Sequence, residues 1–480
     1  MGTMLFVDQD LQSIQEARIL VESARDAHTL LQEYDQKDLD RIVEAFFSQL
    51  LPEIPELIDS ELGVRHTGCR EDKVQFAKIF FSQLKEPLLT EQVVGILANQ
   101  DQSGPKTIGV SLGVVAVILP RENMIINGLY AALIALKAGN AVILVPQSHT
   151  EAAVAHMFTK LASLSESTGL PAGALSYLQT STEAGIKALS CHPAVALILA
   201  LGCPELFTLL ESSNKPLIYG GTGGTPVFIE RSADLKEAAK AIVTSRGFDN
   251  GLLPAAEQFV IAEGVIAGQL KEELSQAGAY FMNEQEEQQL IQFLFVGKNQ
   301  VNPLCIGQAA SELAKRAGFT VSDTTQVLVS EQPYIFDENP FATELKCPIL
   351  TFYLEPDWIH ACEKCLELLR EKETGHTLAI HSHNQAVIQE FALKKPVGRM
   401  IVNGPASFTS VGLDSTLPVS LILGGLTTGR GYTAKNITAF DLTYQRAIGY
   451  TKVKEQPAIP VTTAFTEWEL LEKIVRKIID

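Results

Sequence analysis

Apolar positions recur every three or four residues along the first stretch of the chain. Leu11, Ile14, Ala17, Val21, Ala24, His28 and Leu31 fall on one face, and Asp8 or Asp10 can cap the start, so a helix is predicted. A second helical pattern carries Ile42 and Phe46 and stops near Pro52. His28 sits on the apolar stripe, where a core histidine with satisfied hydrogen bonds is expected. From Gly113 the texture changes. Gly113 to Leu119 is an uninterrupted apolar run of strand length, Pro120 ends it, residues 124–138 read as a helix, and Ala141 to Val145 form a second apolar run. Strands apolar on both faces and joined by a helix are what a parallel sheet covered on both sides requires. The pattern repeats through a helix over 151–165, the strand Val195 to Leu199, a helix from Pro204 and the strand Leu217 to Tyr219. A doubly wound α/β domain is predicted. After Ser232 a second α/β segment follows, with a helix over 233–245, a strand at Phe259 to Ile261 and further alternation to about residue 420.

The end of the chain differs from everything before it. Residues 455–465 read as a Pro-punctuated linker, and Thr466 with Glu469 fits a capping box. Trp468, Leu471, Ile474, Val475 and Ile478 then make an apolar stripe, backed by Leu470 and Ile479. Glu467, Glu469 and Glu472 load its start and Arg476 and Lys477 its end, which matches the helix dipole. So short a helix is marginal alone and is expected to fold against a partner.

Composition narrows the class. With 480 residues, 46% of them hydrophobic and 20% charged, the chain is an ordinary soluble globular protein of about three domain-sized units. A net charge of −18 argues against nucleic acid or an anionic membrane surface as partner. No apolar run reaches the ~20 residues that span a bilayer, and no leader is expected. The 7 cysteines form no regular framework, so reduced thiols in the cytoplasm are expected.

Little isolated chemistry stands out. Gly220-Gly221-Thr222-Gly223-Gly224-Thr225 follows a strand and can wrap a phosphate or serve as a flexible crossing between domains. Cys362-x-x-Cys365, with His360 nearby, lies on a helical pattern and has no second Cys pair at zinc spacing, so buried thiols rather than a metal are expected. Gly-x-Ser-x-Gly, P-loop lysine and His-Glu-x-x-His motifs are missing, which leaves hydrolase and NTPase readings without an anchor.

Longer motifs, in a fixed order, carry a resemblance. They are Gly113-Val114-Val115 with Pro120 and Asn123, Lys137 to Asn140, Ala196 to Gly202, Ser212 to Pro216, Phe248 to Gly251, Glu257-Gln258, Gly375-His376-Thr377 and Phe391 to Val397. On these the chain resembles the CoA-acylating aldehyde dehydrogenases over residues 4 to 450, the branch that includes microcompartment aldehyde dehydrogenases and the dehydrogenase half of bifunctional aldehyde–alcohol dehydrogenases. The resemblance implies an aldehyde dehydrogenase-like α/β fold with two doubly wound parallel-sheet domains and an oligomerisation arm, to which the tail's own pattern adds a C-terminal amphipathic helix. The expected division is residues 4–231 as the nucleotide-binding domain, 232–425 as the catalytic-type domain, 426–454 as a return segment and arm, 455–465 as linker and 466–480 as tail helix. The arm is expected around 98–112 and 437–453.

In that family a cysteine thiolate attacks an aldehyde, hydride passes to a nicotinamide cofactor and the thiol of CoA releases the acyl group. NAD or NADP and CoA are therefore the implied cofactor and co-substrate, and no metal is. Asn123 matches the oxyanion asparagine and Glu344 the glutamate that holds the nicotinamide ribose. Gly202 stands in the cofactor-phosphate turn, and Gly221, Gly223 and Gly224 lie in the glycine-rich loop. The nucleophile is missing: in Phe248-Asp249-Asn250-Gly251-Leu252-Leu253-Pro254, the family's cysteine position is Pro254. Proline removes both the thiol and the backbone N–H that helps bind the oxyanion. Cys203, where the family has glycine, is the alternative thiol, because a helix N-terminus lowers a thiol's pKa. Leu423-Gly424-Gly425-Leu426 departs from the family's Leu-Gly-Cys-Gly.

Three functions follow as expectations: a degenerate, structural or regulatory partner of an active paralogue; an active NAD(P)- and CoA-dependent dehydrogenase using a displaced thiol; or a non-covalent nucleotide- or CoA-binding module. The expected assembly is a homodimer, a homotetramer or a hetero-oligomer with the paralogue. The tail is expected to dock on microcompartment shell or cargo, or on the body of the same or a sister subunit, which places the protein in the cytoplasm or a microcompartment lumen.

Overall fold

Val114–Ile118 is buried along its whole length and pairs in parallel with Ala141–Val145 on one side and Val195–Leu201 on the other. In this computed structural model, which describes residues 8–64, 67–97, 106–147, 150–221, 223–297, 300–335, 340–371, 375–425, 433–449, 451 and 467–479, these strands are the centre of a five-stranded parallel sheet. Leu175–Tyr177 and Leu217–Gly220 complete its edges. Alternation of the side chains explains the unbroken apolar runs. Val114, Ala116 and Ile118 pack on one face with Ala17, Val21 and Ala24 of helix Gln9–Leu31, while Val115 and Val117 pack on the other with helices Gln36–Leu50, Arg70–Thr90 and Met124–Lys137.

The amino-terminal helix is capped by Asp8, whose side chain accepts from the backbone N–H groups of Asp10 and Leu11. Of its predicted stripe, Ala17, Val21, Ala24 and Leu31 are buried, Ile14 and His28 are half-buried and Leu11 is exposed. His28 is bonded to Ser111 Oγ at 2.8 Å, and burial lowers its pKa.

A second sheet holds seven strands, all parallel, in the spatial order Ala279–Phe281, Val327–Glu331, Ile349–Glu355, Glu257–Glu263, Thr225–Ile229, Thr377–His381, Arg399–Val402. Thr225–Ile229 thus belongs to the second sheet, and the chain crosses over before residue 225. The expected division at 231 is corrected: Pro226 to Ile229 pair with Phe259 to Ala262, a register that the apolar pattern of a single strand cannot reveal. Cys362 and Cys365, on helix Trp358–Glu371, pack with Phe228 and Phe391 against this sheet.

The chain returns to the first unit from Val411 onward. Leu421, Ile422, Ile437 and Leu442 join the core around helix Met124–Lys137, and Tyr130 Oη donates to the Ile437 carbonyl at 2.6 Å. Gly95–Ile96, Lys106–Ser111 and Thr443–Ile448 form a separate three-stranded antiparallel sheet at the place expected for an arm. Residues 98–105, the linker 455–465 and the capping Thr466 lie outside the described residues. Helix Glu467–Ile479 forms, and Trp468, Leu471, Ile474, Val475 and Ile478 on it are all exposed. Among the described residues no helix is long and apolar enough to cross a membrane.

Candidate active site

Connection geometry places a cavity between the two sheets. At the first sheet, strands end in Leu119-Pro120 and Leu201-Gly202, on either side of the point where the strand order reverses, which is where open α/β sheets bind ligands. Facing them are segments that precede strands of the second sheet: Gly251 to Ala256, Leu345-Lys346 and His376. Gly220, Gly221 and Gly223 form the crossing between the sheets and line the same space.

The structure brings most sequence-predicted residues together. Asn123, Gly202, Gly221, Gly223, Pro254 and Glu344 all line the cavity. Gly202 has φ +54°, a left-handed turn that spares glycine the strain other residues meet. Gly224 does not line it. A Cβ there would lie 2.8 Å from both Gln258 Oε1 and Phe259 Cε2, so its role is close packing. Glu344 Oε1 accepts from the Gly223 N–H at 2.8 Å, tying the crossing to the opposite wall. Gln258 positions that wall: its Nε2 donates to the Thr343 carbonyl at 2.6 Å and its Oε1 accepts from the Leu345 N–H at 2.9 Å.

Cys203 is the exception among the predicted site residues. It is fully buried in the core on the other face of the five-stranded sheet, outside the cavity, and burial pushes its thiol up to about 12. The expected activation by a helix N-terminus is corrected, because the element it opens is a single 3-10 turn, Pro204–Leu206, and desolvation outweighs it. Cys347 is likewise buried and pushed up to about 12, and Cys305 to about 11. Among the described residues, which include all 7 cysteines, no thiol lines the cavity.

A polar network under Asn123 was not legible in the sequence. The Lys73 side chain, 1% exposed, donates to Asn123 Oδ1 and, at 2.9 Å, to Asp249 Oδ2. Asn123 Nδ2 donates to the same Asp249 oxygen at 3.0 Å, while Asp249 Oδ1 accepts from the Cys69 N–H at 2.8 Å. Burial raises the Asp249 carboxyl and the nearby Glu61 carboxyl, and the Lys73 ammonium pulls both the other way. Asn123, Asp249 and Asn250 adopt left-handed φ values of 55°, 49° and 52°, which Asn and Asp tolerate. Ala255, next to Pro254, has φ 59° without that excuse.

His376 also belongs to the cavity. Its Nδ1 bonds Thr377 Oγ1 at 2.7 Å and its Nε2 has no partner among the described residues. Burial first and the Arg399 charge second lower its pKa to about 3, so the imidazole is neutral. Arg399 donates to the His376 carbonyl at 3.1 Å and to the Gly424 carbonyl at 2.8 Å, which binds the return segment to this wall. At the rim Lys346 pairs with Glu122 at 2.9 Å; burial alone would lower the ammonium, but Glu122, Glu344 and Glu205 together hold it above the ordinary lysine value.

A doubly wound sheet facing a second parallel sheet across a glycine-rich crossing, with Asn and Glu on opposite walls, defines a two-domain dehydrogenase architecture. The chain belongs to the aldehyde dehydrogenase family, whose sequence signature matches residues 9–413. It is similar to a probable aldehyde dehydrogenase from Listeria monocytogenes EGD-e, at 33% identity and a TM-score of 0.89 over 94% of this chain and 99% of that one. An acetylating aldehyde dehydrogenase from Geobacillus thermoglucosidasius aligns at 31% identity and a TM-score of 0.88, over the same 94% and 99%. The bifunctional aldehyde-alcohol dehydrogenase AdhE of Escherichia coli K12 is 28% identical over 430 residues, 88% of this chain and 48% of AdhE. The chain spans about half the length of the curated bifunctional relatives it matches.

Proposed function

We propose that this chain is a degenerate member of the CoA-acylating branch: a structural or regulatory partner of an active paralogue that keeps the cleft as a nucleotide- or CoA-binding site. One observation carries the reading. Pro254 lines the cavity, where the sequence resemblance expects the family's nucleophile, and none of the 7 cysteines lines it. The proline also lacks the N–H that would hold an oxyanion. The other donor, the Asn123 amide, already spends one N–H on Asp249.

The cofactor side supports retained binding. Left-handed Gly202 and the bare backbone at Gly220 and Gly221 leave room beside the strand ends, and Glu344 stands across from them. When bound there, NAD or NADP would supply hydride acceptance and CoA the acyl-accepting thiol. The residues of this chain would hold and orient them without a thiolate to start the reaction.

The test is a paired measurement on the full chain. Calorimetric titration with NAD, NADP and CoA should give saturable binding of at least one. Turnover of acetaldehyde or propionaldehyde with NAD and CoA should stay at the uncatalysed level. Rates in the ordinary enzyme range, about 1 s⁻¹ or more, would overturn the proposal, and so would an acyl adduct trapped on any cysteine.

The tail favours a location. Its apolar stripe is exposed along the whole helix, which supports an external partner, and we assign it to microcompartment shell or cargo within the cytoplasm. Deleting residues 466–480 should release the protein from co-purifying shell particles and leave its folded body unchanged.

A further inference from the structure

Cys362-x-x-Cys365 lies away from the cleft, and the structure separates its two sulfurs. Cys365 is 0% exposed and packs as an apolar side chain. Cys362, 8% exposed, meets a cation: the Lys395 ammonium donates to its sulfur, and also to the Cys362 carbonyl at 2.9 Å. Lys395 follows helix Gln385–Lys394, is 7% exposed, and lies 4.4 Å from the centroid of the Phe391 ring. Among the described residues no carboxylate bonds it. A buried ammonium needs polar partners, and here they are one sulfur, one carbonyl and an aromatic face. The amine and thiol therefore share one desolvated site, held by helix Trp358–Glu371 and by the residue that caps the end of helix Gln385–Lys394.

We propose that Cys362 and Lys395 are a modification site that peroxides convert to a covalent sulfur–nitrogen cross-link. In the first step the Cys362 sulfur attacks a peroxide oxygen; the S–O bond forms, the O–O bond breaks, and with hydrogen peroxide the leaving group departs as water. The sulfur is oxidised by two electrons to a sulfenic acid and the peroxide is reduced. In the second step Lys395, having released a proton to solvent, attacks the sulfur; the S–N bond forms, the S–O bond breaks and a second water leaves. No large movement is needed, because nitrogen and sulfur are in contact beforehand. A thiol reductant reverses the change by attacking the sulfur and returning the amine. The product ties helix Trp358–Glu371 to the segment after helix Gln385–Lys394.

The experiment treats the full chain with hydrogen peroxide, denatures and alkylates it, and maps peptides by mass spectrometry. Expected is a cross-linked peptide joining Cys362 to Lys395, lighter than its two parts by two hydrogen atoms. It should vanish after dithiothreitol and be missing from Cys362→Ser and Lys395→Arg. Recovery of Cys362 as a free thiol, as a sulfinic or sulfonic acid without the link, or in a disulfide with Cys365 overturns the proposal. The readout is on the unsubstituted protein, so it survives a variant that folds badly, and it owes nothing to the function of the cleft.

Discussion

On the wall built from the five-stranded sheet, Gly202 and Gly220 expose backbone to the cavity and Asn123 sits in a network of bonded charges. On the facing loop, Leu252, Leu253, Pro254, Ala255 and Ala256 line the cavity, and all their side chains are hydrocarbon. The first wall offers glycine backbone and bonded polar groups, while the facing loop offers no side chain that could form or break a bond to an aldehyde. Binding depends on backbone placed by the sheet, which the fold maintains at no extra cost. Chemistry depends on one side chain and one N–H, which a single substitution removes.

The sharpest way to break this contrast is Pro254→Cys. It introduces a thiol and a backbone N–H together. If the glycine wall is intact, aldehyde turnover with NAD and CoA should rise by about 10²-fold or more, since loss of a covalent nucleophile alone removes several orders of magnitude. A steady-state assay with an intact-mass check for an acylated intermediate measures this. A variant whose introduced thiol reacts with iodoacetamide yet gives no turnover would mean that the first wall has decayed as well.

Next in size is Lys73→Met, which tests whether the first wall owes its order to the buried network. Removing the ammonium leaves the Asp249 and Glu61 carboxyls buried without their cation. Stripping one partner from a buried pair costs about 3–5 kcal/mol, so a large drop in urea midpoint is expected. A near-neutral result would show that both acids take up protons in the native state.

Much of this architecture was legible from the chain. The runs at 114–118, 141–145 and 195–201 are apolar on both faces because both faces are covered, and that pattern has few other solutions. Asn123, Gly202, Pro254 and Glu344 were found through ordered motifs, and the sheets do converge them. Lys73 was not found. It lies in a helix whose period announces only a buried face, and its partner Asp249 is 176 positions away. Nothing local marks a lysine that will be buried. His376 and Gln258 stood inside recognised motifs, but their roles depend on contacts made only after folding: an unpartnered Nε2 in one case, a clamp on residues 343 and 345 in the other. Cys203 can be placed at a helix start from the sequence, but not its burial, because helix position is readable in a sequence and depth is not.

A pH series probes the anchor at the far end of the loop. Glu257 is fully buried; its Oε1 accepts from the Ala406 N–H at 2.7 Å, and desolvation raises its pKa from 4.5 to about 7. A raised carboxyl means the folded state keeps a proton that the unfolded chain gives up. The unfolding free energy should therefore be unpenalised below about pH 4.5 and fall as pH rises through 7, by about 3 kcal/mol in all. His376 and His381, lowered to about 3 and about 4, act in the opposite sense and weaken the fold as pH drops below 6.5. Glu257→Gln keeps the size and removes the titration, so its denaturation midpoint should lose the decline between pH 5 and 8 while retaining the acid-side loss. An unchanged profile would place the titration elsewhere.

The smallest effect concerns Ala255, where two terms of similar size compete. Its φ of 59° costs an ordinary residue about 1–2 kcal/mol. Glycine removes that cost but returns freedom to the unfolded chain, worth about 0.4–1 kcal/mol. The difference favours Ala255→Gly by about 0.5 kcal/mol, visible as a slightly higher urea midpoint with unchanged slope. Pro254 makes the sign informative, because the pyrrolidine ring restricts the residue before it and stiffens the loop. If the loop were free to relax, Ala255 would not hold a left-handed conformation, the strain term would vanish and the glycine variant would be the less stable one. A stabilised variant thus shows that the apolar loop around Pro254 is rigidly held in its strained conformation.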